Sequence, residues 1–277
     1  MDFTFKADIP STKEKELPPY SERDSVPVSD AKSIAPASVS VFSGGTDTMS
    51  ADTSSFNAGT RLRIHSRGHP LVSLPVPPRE LEITITDSAG NVVYTSTRAK
   101  RSSGNAILSH IKQGDLISTS YFFGPGRDPV MKMIQPFEVS LDTIRIETRW
   151  TTRATAFTLP NGRSFEWFHD SSKDSDARKG KRTNVLVLHQ IDAESPKRQK
   201  RAKSSSQAIA KLIRSDATRT EGTTRCTAGN GGELVLDVDA IKYLDESIIV
   251  ATCLMMLKME IDRRRGCQFA VVMAAAS

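Results

Sequence analysis

The chain has 277 residues, of which 38% are hydrophobic, 6% aromatic and 25% charged, with a formal net charge of +6 at pH 7. This length allows one large domain or two small ones. The positive balance favours acidic partners such as anionic lipid, nucleic acid or an acidic protein. Three cysteines are too few for a disulfide scaffold and indicate a reducing compartment. No secretory signal or lipidation motif is evident, so we expect a cytoplasmic or nuclear location, with peripheral membrane binding as a further expectation.

The first 60 residues differ in composition from the rest of the chain. They are rich in Ser, Thr, Pro and Asp, and nine acidic against five basic residues give them a net charge of −4, which leaves +10 for the remainder. Such a segment cannot bury enough apolar surface to offset its ordering entropy, so residues 1–60 are predicted to be a disordered acidic tail. Residues 61–80, ending in LVSLPVPPRE, are predicted to be a Pro-rich linker. The folded domain is then expected over residues 81–277.

From residue 81 the hydrophobic period changes to two, which is typical of half-buried β-strands. The clearest hairpin spans Thr155–Phe168, because its arms flank Pro160-Asn161-Gly162 and Asn-Gly is a strong turn signal. The segment Ala208–Arg214 is apolar enough for a strand, but it could equally form a short helix. The alternation further predicts strands at Leu81–Thr86, Val92–Arg98, Ala106–His110, Ile117–Phe123, Thr143–Trp150, Asn184–Gln190 and Glu233–Val238.

The segment Asp245–Arg265 is predicted to be the central helix of the domain. Its residues 248–257 are apolar on nearly every face, whereas a surface helix keeps one polar side. The apolar run is about half as long as a bilayer span requires, so the helix should be buried in protein. Asp245 is the predicted N-cap.

The end of this helix is predicted from charge and from glycine. Glu260 and Asp262 should begin a polar exit toward solvent, and Gly266 supplies a typical C-terminal stop. The apolar stretch Gln268–Ala276 is then predicted to be a last strand that closes the sheet. The element order predicts a mainly β (α+β) fold, a closed antiparallel β-barrel around a buried C-terminal helix at about 245–265. Closure removes sheet edges and covers the helix.

The strands followed by GGELVLDVDA and DESIIVATCLMMLKMEIDRRRG resemble the tubby C-terminal-like superfamily. That superfamily includes tubby proteins, phospholipid scramblases and plant LURP-one-related proteins, and the likeness is greatest to fungal members with an IDRRR-type stretch. It covers residues 81–277 and implies a barrel of about twelve strands around a hydrophobic helix. The chain lacks the acidic Ca²⁺-binding segment and the cysteine cluster of scramblases. No stretch aligns with the phosphoinositide-binding lysine and arginine of tubby. The resemblance therefore supports the predicted fold better than it supports a predicted ligand.

Two predicted polar loops on either side of the strand Asn184–Gln190 are strongly basic. Ten basic and four acidic residues give the stretch Lys173–Lys203 a net charge of +6. These loops could bind phosphoinositide headgroups or nucleic acid, and PKRQKRAK at Pro196–Lys203 matches a nuclear-localisation pattern. The alternative is a pair of solvated loops. The candidates for anionic-ligand binding or nuclear localisation are Lys179, Lys181, Arg182, Lys197, Arg198, Lys200, Arg201 and Lys203.

Other chemistry is weaker in the sequence. His65 and His69 have an HxxxH spacing but lack further ligands, so no metal or cofactor is predicted. Cys226 lies in a predicted loop, and His169-Asp170 or His189 could serve it as a base, although a structural cysteine is the simpler interpretation. The glycine-rich run Gly229–Gly232 precedes a strand rather than a helix, which favours a tight turn over a phosphate loop. The tryptophans and phenylalanines of the hairpin region, Trp150, Phe157, Phe165, Trp167 and Phe168, are predicted to pack on the sheet.

These observations favour a non-enzymatic binding protein, in the first place an adaptor for phosphoinositides or anionic membranes. A protein-interaction or regulatory module is the alternative from a different class. An enzyme or an accessory protein of a biosynthetic pathway is the third hypothesis, because no acid, base and oxyanion site can be assembled from the sequence. Nucleic acid stays open as a partner, and the oligomeric state is not predicted.

Overall fold

The computed structural model describes residues 56–77, 80–101, 103–122, 127–134, 143–148, 153–170, 184–191 and 208–276. Within these residues the chain forms twelve strands, a short 3₁₀ turn at Ala240–Lys242, and one long helix, α1, at Glu246–Ala275. The strands are β1 Ala58–Ile64, β2 Glu82–Thr86, β3 Val92–Thr97, β4 Ala106–His110, β5 Gly114–Ser120, β6 Val130–Met133, β7 Thr143–Thr148, β8 Thr155–Thr158, β9 Ser164–Asp170, β10 Asn184–Ile191, β11 Ala208–Arg214 and β12 Gly232–Asp237.

The strands form a closed antiparallel barrel in which each strand from β2 to β12 pairs with its neighbour in the sequence. Closure is made by β1, which lies between β2 and β12. Its residue Ile64 is opposite Gly232 on one side and opposite Ile85 on the other. The predicted fold class, a closed antiparallel barrel with a C-terminal helix, is therefore confirmed.

The pleat of the strands places alternate apolar side chains inside the barrel. In the hairpin of β8 and β9, Phe157, Phe165 and Trp167 are fully buried, and the two phenylalanine rings stack with centroids 5.3 Å apart. The indole Nε1 of Trp167 donates a hydrogen bond to Thr252 Oγ1 of α1 at 3.0 Å. The predicted sheet-face packing of these aromatics is confirmed, whereas Trp150 lies outside the described residues.

The helix α1 is enclosed by the barrel over its first four turns. Asp245 is its N-cap, and its carboxylate Oδ1 accepts a hydrogen bond from the Ser247 backbone N–H at 2.7 Å. Every residue from Ile248 to Leu257 is buried, on all faces of the helix. An apolar helix of this kind requires cover on every side, and the barrel supplies it.

The structure corrects the predicted end of this helix. It does not stop at Gly266 but continues to Ala275, so the predicted strand Gln268–Ala276 is wrong. A glycine inside a helix costs only about 1 kcal/mol relative to alanine. The residues that follow include Gln, Met and several Ala, which are good helix formers. The barrel is already closed by β1, which leaves no free sheet edge for another strand.

The barrel also begins earlier than predicted, because β1 lies in the stretch assigned to the tail and the linker. Leu62 and Ile64 point inward and are buried, while Arg61 and Arg63 are exposed. Only two large apolar residues take part in this alternation, which is too short to distinguish from a linker by pattern. Residues 1–55 of the predicted tail lie outside the described residues.

The structure contains one strand that was not predicted and shows that one ambiguous segment is a strand. The strand β6 was not predicted, since Met131 is its one fully buried residue and four residues give little periodicity. Ala208–Arg214, which could have been a helix, forms β11.

Because the strands alternate in direction, their connections lie alternately at two ends of the barrel. We call the end at which α1 begins the helix-entry end, and the opposite one the helix-exit end. The helix-exit end carries the connections from β1 to β2, β3 to β4, β5 to β6, β7 to β8, β9 to β10 and β11 to β12.

Candidate functional site at the helix-exit end

The eight basic residues proposed from the sequence all lie outside the described residues. Lys179, Lys181 and Arg182 belong to the segment 171–183, which connects β9 to β10 at the helix-exit end. The other candidates belong to the segment 192–207, which connects β10 to β11 at the helix-entry end. The two basic segments therefore start from opposite ends of the barrel. The candidates of the second segment are Lys197, Arg198, Lys200, Arg201 and Lys203.

At the helix-exit end, Glu260 of α1 is hydrogen-bonded to several parts of the barrel. Its two carboxylate oxygens accept bonds from Nη1 and Nη2 of Arg214, at 2.7 and 3.0 Å. The backbone N–H of Gly229 donates to Oε2 at 2.9 Å, and His169 Nε2 lies 3.2 Å from Oε1. Arg214 Nη2 also donates to Asn184 Oδ1 at 3.0 Å. The carboxylate thus links α1 to β9, β11 and the connection before β12.

These contacts determine the ionisation of the group. Burial by itself would raise the pKa of Glu260, but Arg214, His169 and the Gly229 N–H together hold it below its usual value. Burial lowers the pKa of His169, and the neighbouring positive charge of Arg214 adds to this effect, although Glu260 opposes it. A fixed Glu260–Arg214 ion pair beside a largely neutral His169 follows near pH 7.

The glycine-rich run before β12 has a role that the sequence did not reveal. Gly229 has a φ of +67°, and a Cβ atom there would lie 2.5 Å from the Leu257 carbonyl oxygen and from Ile261 Cγ1. Only glycine allows this close approach of the turn to α1. The N–H of Gly229 therefore binds a carboxylate of the same chain, which agrees with a structural turn rather than a phosphate loop.

A second group of charges, the Asp262 cluster, lies beside the first. It consists of Lys258, Asp262 and Arg265 of α1 together with Arg98 and Glu80. Lys258 Nζ lies 2.9 Å from Asp262 Oδ2, and Arg265 Nη1 donates to Asp262 Oδ1 at 3.0 Å. Arg98 interacts electrostatically with the carboxylates of Glu80 and Asp262. The expected polar exit toward solvent at Glu260 and Asp262 is wrong, because Asp262 is buried and Glu260 is largely so.

Beyond Asp262 the helix leaves the barrel, and its last turns lie against the connection from β1 to β2. Gln268 Nε2 donates to the carbonyl oxygens of Pro70 and Leu71, at 3.4 and 2.9 Å. Its Oε1 atom lies 2.8 Å from His69 Nε2, which also lies 2.8 Å from Ser73 Oγ. This polar junction brings the connection and the end of α1 together.

Both segments expose large apolar side chains next to this junction. We call these eight residues the apolar surface. Val72 is 91% exposed and Phe269 58% exposed. Such a group on a folded domain is typical of an interaction site. Its members are Leu71, Val72, Leu74, Val76, Phe269, Val271, Val272 and Met273.

Basic side chains are concentrated at the same end of the barrel. Among the described residues, thirteen basic side chains lie in the helix-exit connections, at their strand ends or in α1 from Lys258 onward, against eight acidic ones. The described helix-entry connections, with the first residue of α1, carry three basic side chains, Lys112, Arg163 and Lys242, against four acidic ones, Asp87, Asp239, Asp245 and Glu246. The helix-exit basic residues are Arg67, Arg98, Lys100, Arg101, Arg127, Arg153, Arg214, Arg219, Arg225, Lys258, Arg263, Arg264 and Arg265.

The other sites considered from the sequence are not assembled in the described part of the chain. His65 Nε2 lies 3.0 Å from Thr86 Oγ1, whereas His69 contacts Gln268, and no cluster of metal-ligating side chains is found among the described residues. His169 is engaged with Glu260, and His189 stacks on Phe168 near the helix-entry half of β10. Cys226 is exposed in the connection from β11 to β12.

The sequence did not predict the burial of Glu260, because its partners Arg214 and His169 are distant in the chain. Lys258 and Arg265 are near Asp262 in the helix, but such spacing is also typical of an exposed helix surface. Arg263, Arg264 and Arg265 were visible as a basic helix end, but the apolar surface beside them was hidden by the incorrect last strand. No helix in the described residues has the length and apolar character needed to cross a bilayer. No protein family, curated protein or solved structure was found to match this chain.

Proposed function

We propose that this protein is a non-enzymatic, peripheral membrane adaptor that binds anionic lipid through the helix-exit end of its barrel. The observation that carries the proposal is the presence of the apolar surface and the excess of basic side chains at the same end. A membrane interface offers an apolar layer beside negatively charged headgroups, which is the complement of this arrangement.

Two contributions to the free energy favour binding of this end to an anionic membrane. The apolar side chains gain free energy when they leave water, at about 25 cal/mol for each Å² that is buried. Each Lys or Arg near an anionic bilayer adds about 1 kcal/mol, and this part weakens as salt is added. Basic and apolar side chains are direct neighbours at this end. The guanidinium carbon of Arg127 lies 5.7 Å from the centroid of the exposed Phe122 ring.

Among anionic lipids, we propose phosphoinositides as the specific ligand. Lys179, Lys181 and Arg182 belong to the segment 171–183, which follows β9 in the sequence, and we propose them as ligands of the headgroup phosphates. We also propose membership of the tubby C-terminal-like superfamily, which is supported by a closed barrel around a C-terminal helix. Cytoplasmic and nuclear locations fit an adaptor that associates with membranes peripherally.

The test is sedimentation of the full chain with vesicles of phosphatidylcholine alone, with phosphatidylserine added, or with a phosphoinositide added. We expect binding to the anionic vesicles only. The double variant Val72→Ser/Phe269→Ser should lose most of it, whereas Ile111→Ser should not. Ile111 is 65% exposed at the helix-entry end, so it is a matched control.

The charge contribution is tested with Arg67→Gln/Arg225→Gln, which removes two exposed basic side chains from the helix-exit end. At about 1 kcal/mol for each charge, the two changes together should weaken partitioning about thirtyfold. Lys112→Gln, at the helix-entry end, is the control. Equal binding to neutral and anionic vesicles, or none to either, would contradict the proposal.

A protein partner is the second candidate function, and the same apolar surface favours it. A largely apolar protein interface would resist salt, whereas lipid binding through basic residues would weaken steeply. Capture of a partner in high salt that is abolished by Val72→Ser/Phe269→Ser, without vesicle binding, would favour this alternative.

A further inference from the structure

A small cavity, partly open to solvent, lies between α1 and the strands β2 to β5. Its volume is about 30 Å³, which is room for about one or two water-sized particles. Part of its lining is apolar, from Ile83, Leu108, Ala251, Leu254 and Met255. The remainder is polar, from Ser96, Thr119, Arg98 and Lys258.

The polar part of this lining offers hydrogen-bond donors. Ser96 and Thr119 are buried, and each carries a hydroxyl group. Arg98 Nη1 is buried and has no hydrogen-bond partner among the described residues. Leaving the N–H group of a cation without an acceptor is unfavourable in a buried site. Among the polar side chains of the lining, only the two hydroxyl oxygens could accept a bond from Nη1, and neither does.

The adjoining Asp262 cluster has an excess of positive charge. Three cations, Arg98, Lys258 and Arg265, face two carboxylates, Asp262 and Glu80. Lys258 and Arg265 share the carboxylate of Asp262, while Arg98 interacts with Glu80 and Asp262 but makes no hydrogen bond through Nη1. One monovalent anion would bring the group to neutrality.

We propose that this cavity binds a single small monovalent anion of the chloride class. Arg98 Nη1 and the hydroxyl groups of Ser96 and Thr119 donate to it, and Lys258 contributes positive charge. The small volume favours a halide over phosphate or sulfate, each of which has five heavy atoms, more than the one or two water-sized particles for which the cavity has room. The site lies between α1 and the barrel wall, so its occupancy stabilises the packing of the helix. It does not depend on membrane binding.

The experiment compares thermal unfolding of the full chain in sodium chloride and in sodium gluconate at equal ionic strength. Gluconate is too large for the cavity and controls for screening. A bound ligand stabilises the folded state by mass action, so chloride at tenfold excess over its Kd should raise Tm by about 3–6 °C, with saturation. Sodium bromide should have a similar effect.

Two variants locate the effect. Arg98→Gln removes the guanidinium whose Nη1 atom has no hydrogen-bond partner, and Arg101→Gln, which changes an exposed residue in the same connection, is its control. Ala251→Val fills the cavity while every charge is retained, so it tests the site even if Arg98→Gln does not fold. We expect both cavity variants to lose the chloride-dependent rise in Tm and Arg101→Gln to keep it.

Crystals grown in bromide provide the second measurement. An anomalous peak between Arg98 and Lys258 would support the proposal. Equal Tm in chloride and gluconate would mean that the cavity holds water only and would overturn it. A chloride effect that is unchanged in Ala251→Val, or a bromide peak confined to other places, would overturn it as well.

Discussion

Arg214 of β11 donates two hydrogen bonds to the carboxylate of Glu260 in α1, so a buried ion pair connects the barrel wall to the helix inside it. The side chain of Arg214 is only 1% exposed. Removing either partner leaves the other charge without compensation in a site from which it cannot reach water easily. The helix and the wall are thus joined by charge as well as by apolar packing.

The first prediction concerns this pair. Arg214→Met or Glu260→Met should each reduce the free energy of unfolding by about 3–5 kcal/mol, because one buried charge is left unpaired. The double variant Arg214→Met/Glu260→Met should lose much less than the sum of the two single losses. Denaturant unfolding of the four proteins measures this coupling. Additive losses would mean that the two residues do not act together.

The pH dependence of stability follows from the neighbouring His169, whose pKa is lowered by burial. In the unfolded chain a histidine binds a proton at about pH 6.5, whereas His169 in the folded protein binds it only at lower pH. Stability should therefore fall as the pH decreases below about 6.5. His169→Gln should flatten this part of the stability profile. An unchanged slope between pH 6.5 and 5 in the variant would disprove the assignment.

Glu260 adds a second, more acidic transition. Its folded pKa lies below its usual value, so its contribution is present above the unfolded pKa, about 4.3, and is lost as the pH falls through the folded pKa. In Glu260→Gln the acid part of the profile should be flatter than in the wild type, while the part governed by His169 should persist. Urea unfolding at a series of pH values resolves the two transitions.

Gly229 offers a comparison with Gly162, since both have positive φ angles. An added Cβ atom has open space at Gly162, but at Gly229 it would meet the Leu257 carbonyl oxygen and Ile261. Gly162→Ala should cost about 1–2 kcal/mol, the strain of a left-handed backbone. Gly229→Ala should cost more and should disturb the hydrogen bond to Glu260. Equal losses in thermal unfolding would show that backbone strain alone makes glycine necessary at residue 229.

A prediction about location applies to the second basic segment. A fluorescent fusion should be nuclear or nucleocytoplasmic, because Pro196–Lys203 matches a nuclear-localisation pattern. Changing Lys197, Arg198, Lys200 and Arg201 to Ala should shift it to the cytoplasm. The same four changes should leave vesicle binding largely intact, because this segment starts at the helix-entry end. An unaltered distribution would leave the segment as a solvated connection only.

The fold was more predictable than the candidate site, because the fold follows from patterns among neighbouring residues whereas the site is built from residues that are far apart in the sequence. Hydrophobic period is a local property, so the buried core of α1 and most strands could be read from neighbouring residues. The closing strand β1 could not, because only Leu62 and Ile64 carry its pattern. The helix end was wrong because Gly266 favours termination without requiring it.

The charged residues of the helix-exit end show most clearly what could not be predicted from the sequence. Glu260 and Asp262 look like a solvent-exposed helix end, yet the partners Arg214 and His169 lie far from Glu260 in the sequence. Nothing near Glu260 in the chain indicates that strands will bring these partners to it. Pairing across a closed barrel can be deduced only once strand order and register are known.

The last prediction concerns the helix at the centre of the barrel. Leu254, Met255 and Met256 follow one another around α1 at steps of about 100°, and all three are buried. Each single change to Asp should therefore destabilise the protein severely, because a buried carboxylate must stay unpaired or become protonated, at a cost of several kcal/mol. Val272→Asp is the matched control, since Val272 is 51% exposed on the same helix beyond the barrel. It should fold normally, as circular dichroism and thermal unfolding would show. If any of the three buried variants folded as stably as Val272→Asp, that face of the helix could not be enclosed by the barrel.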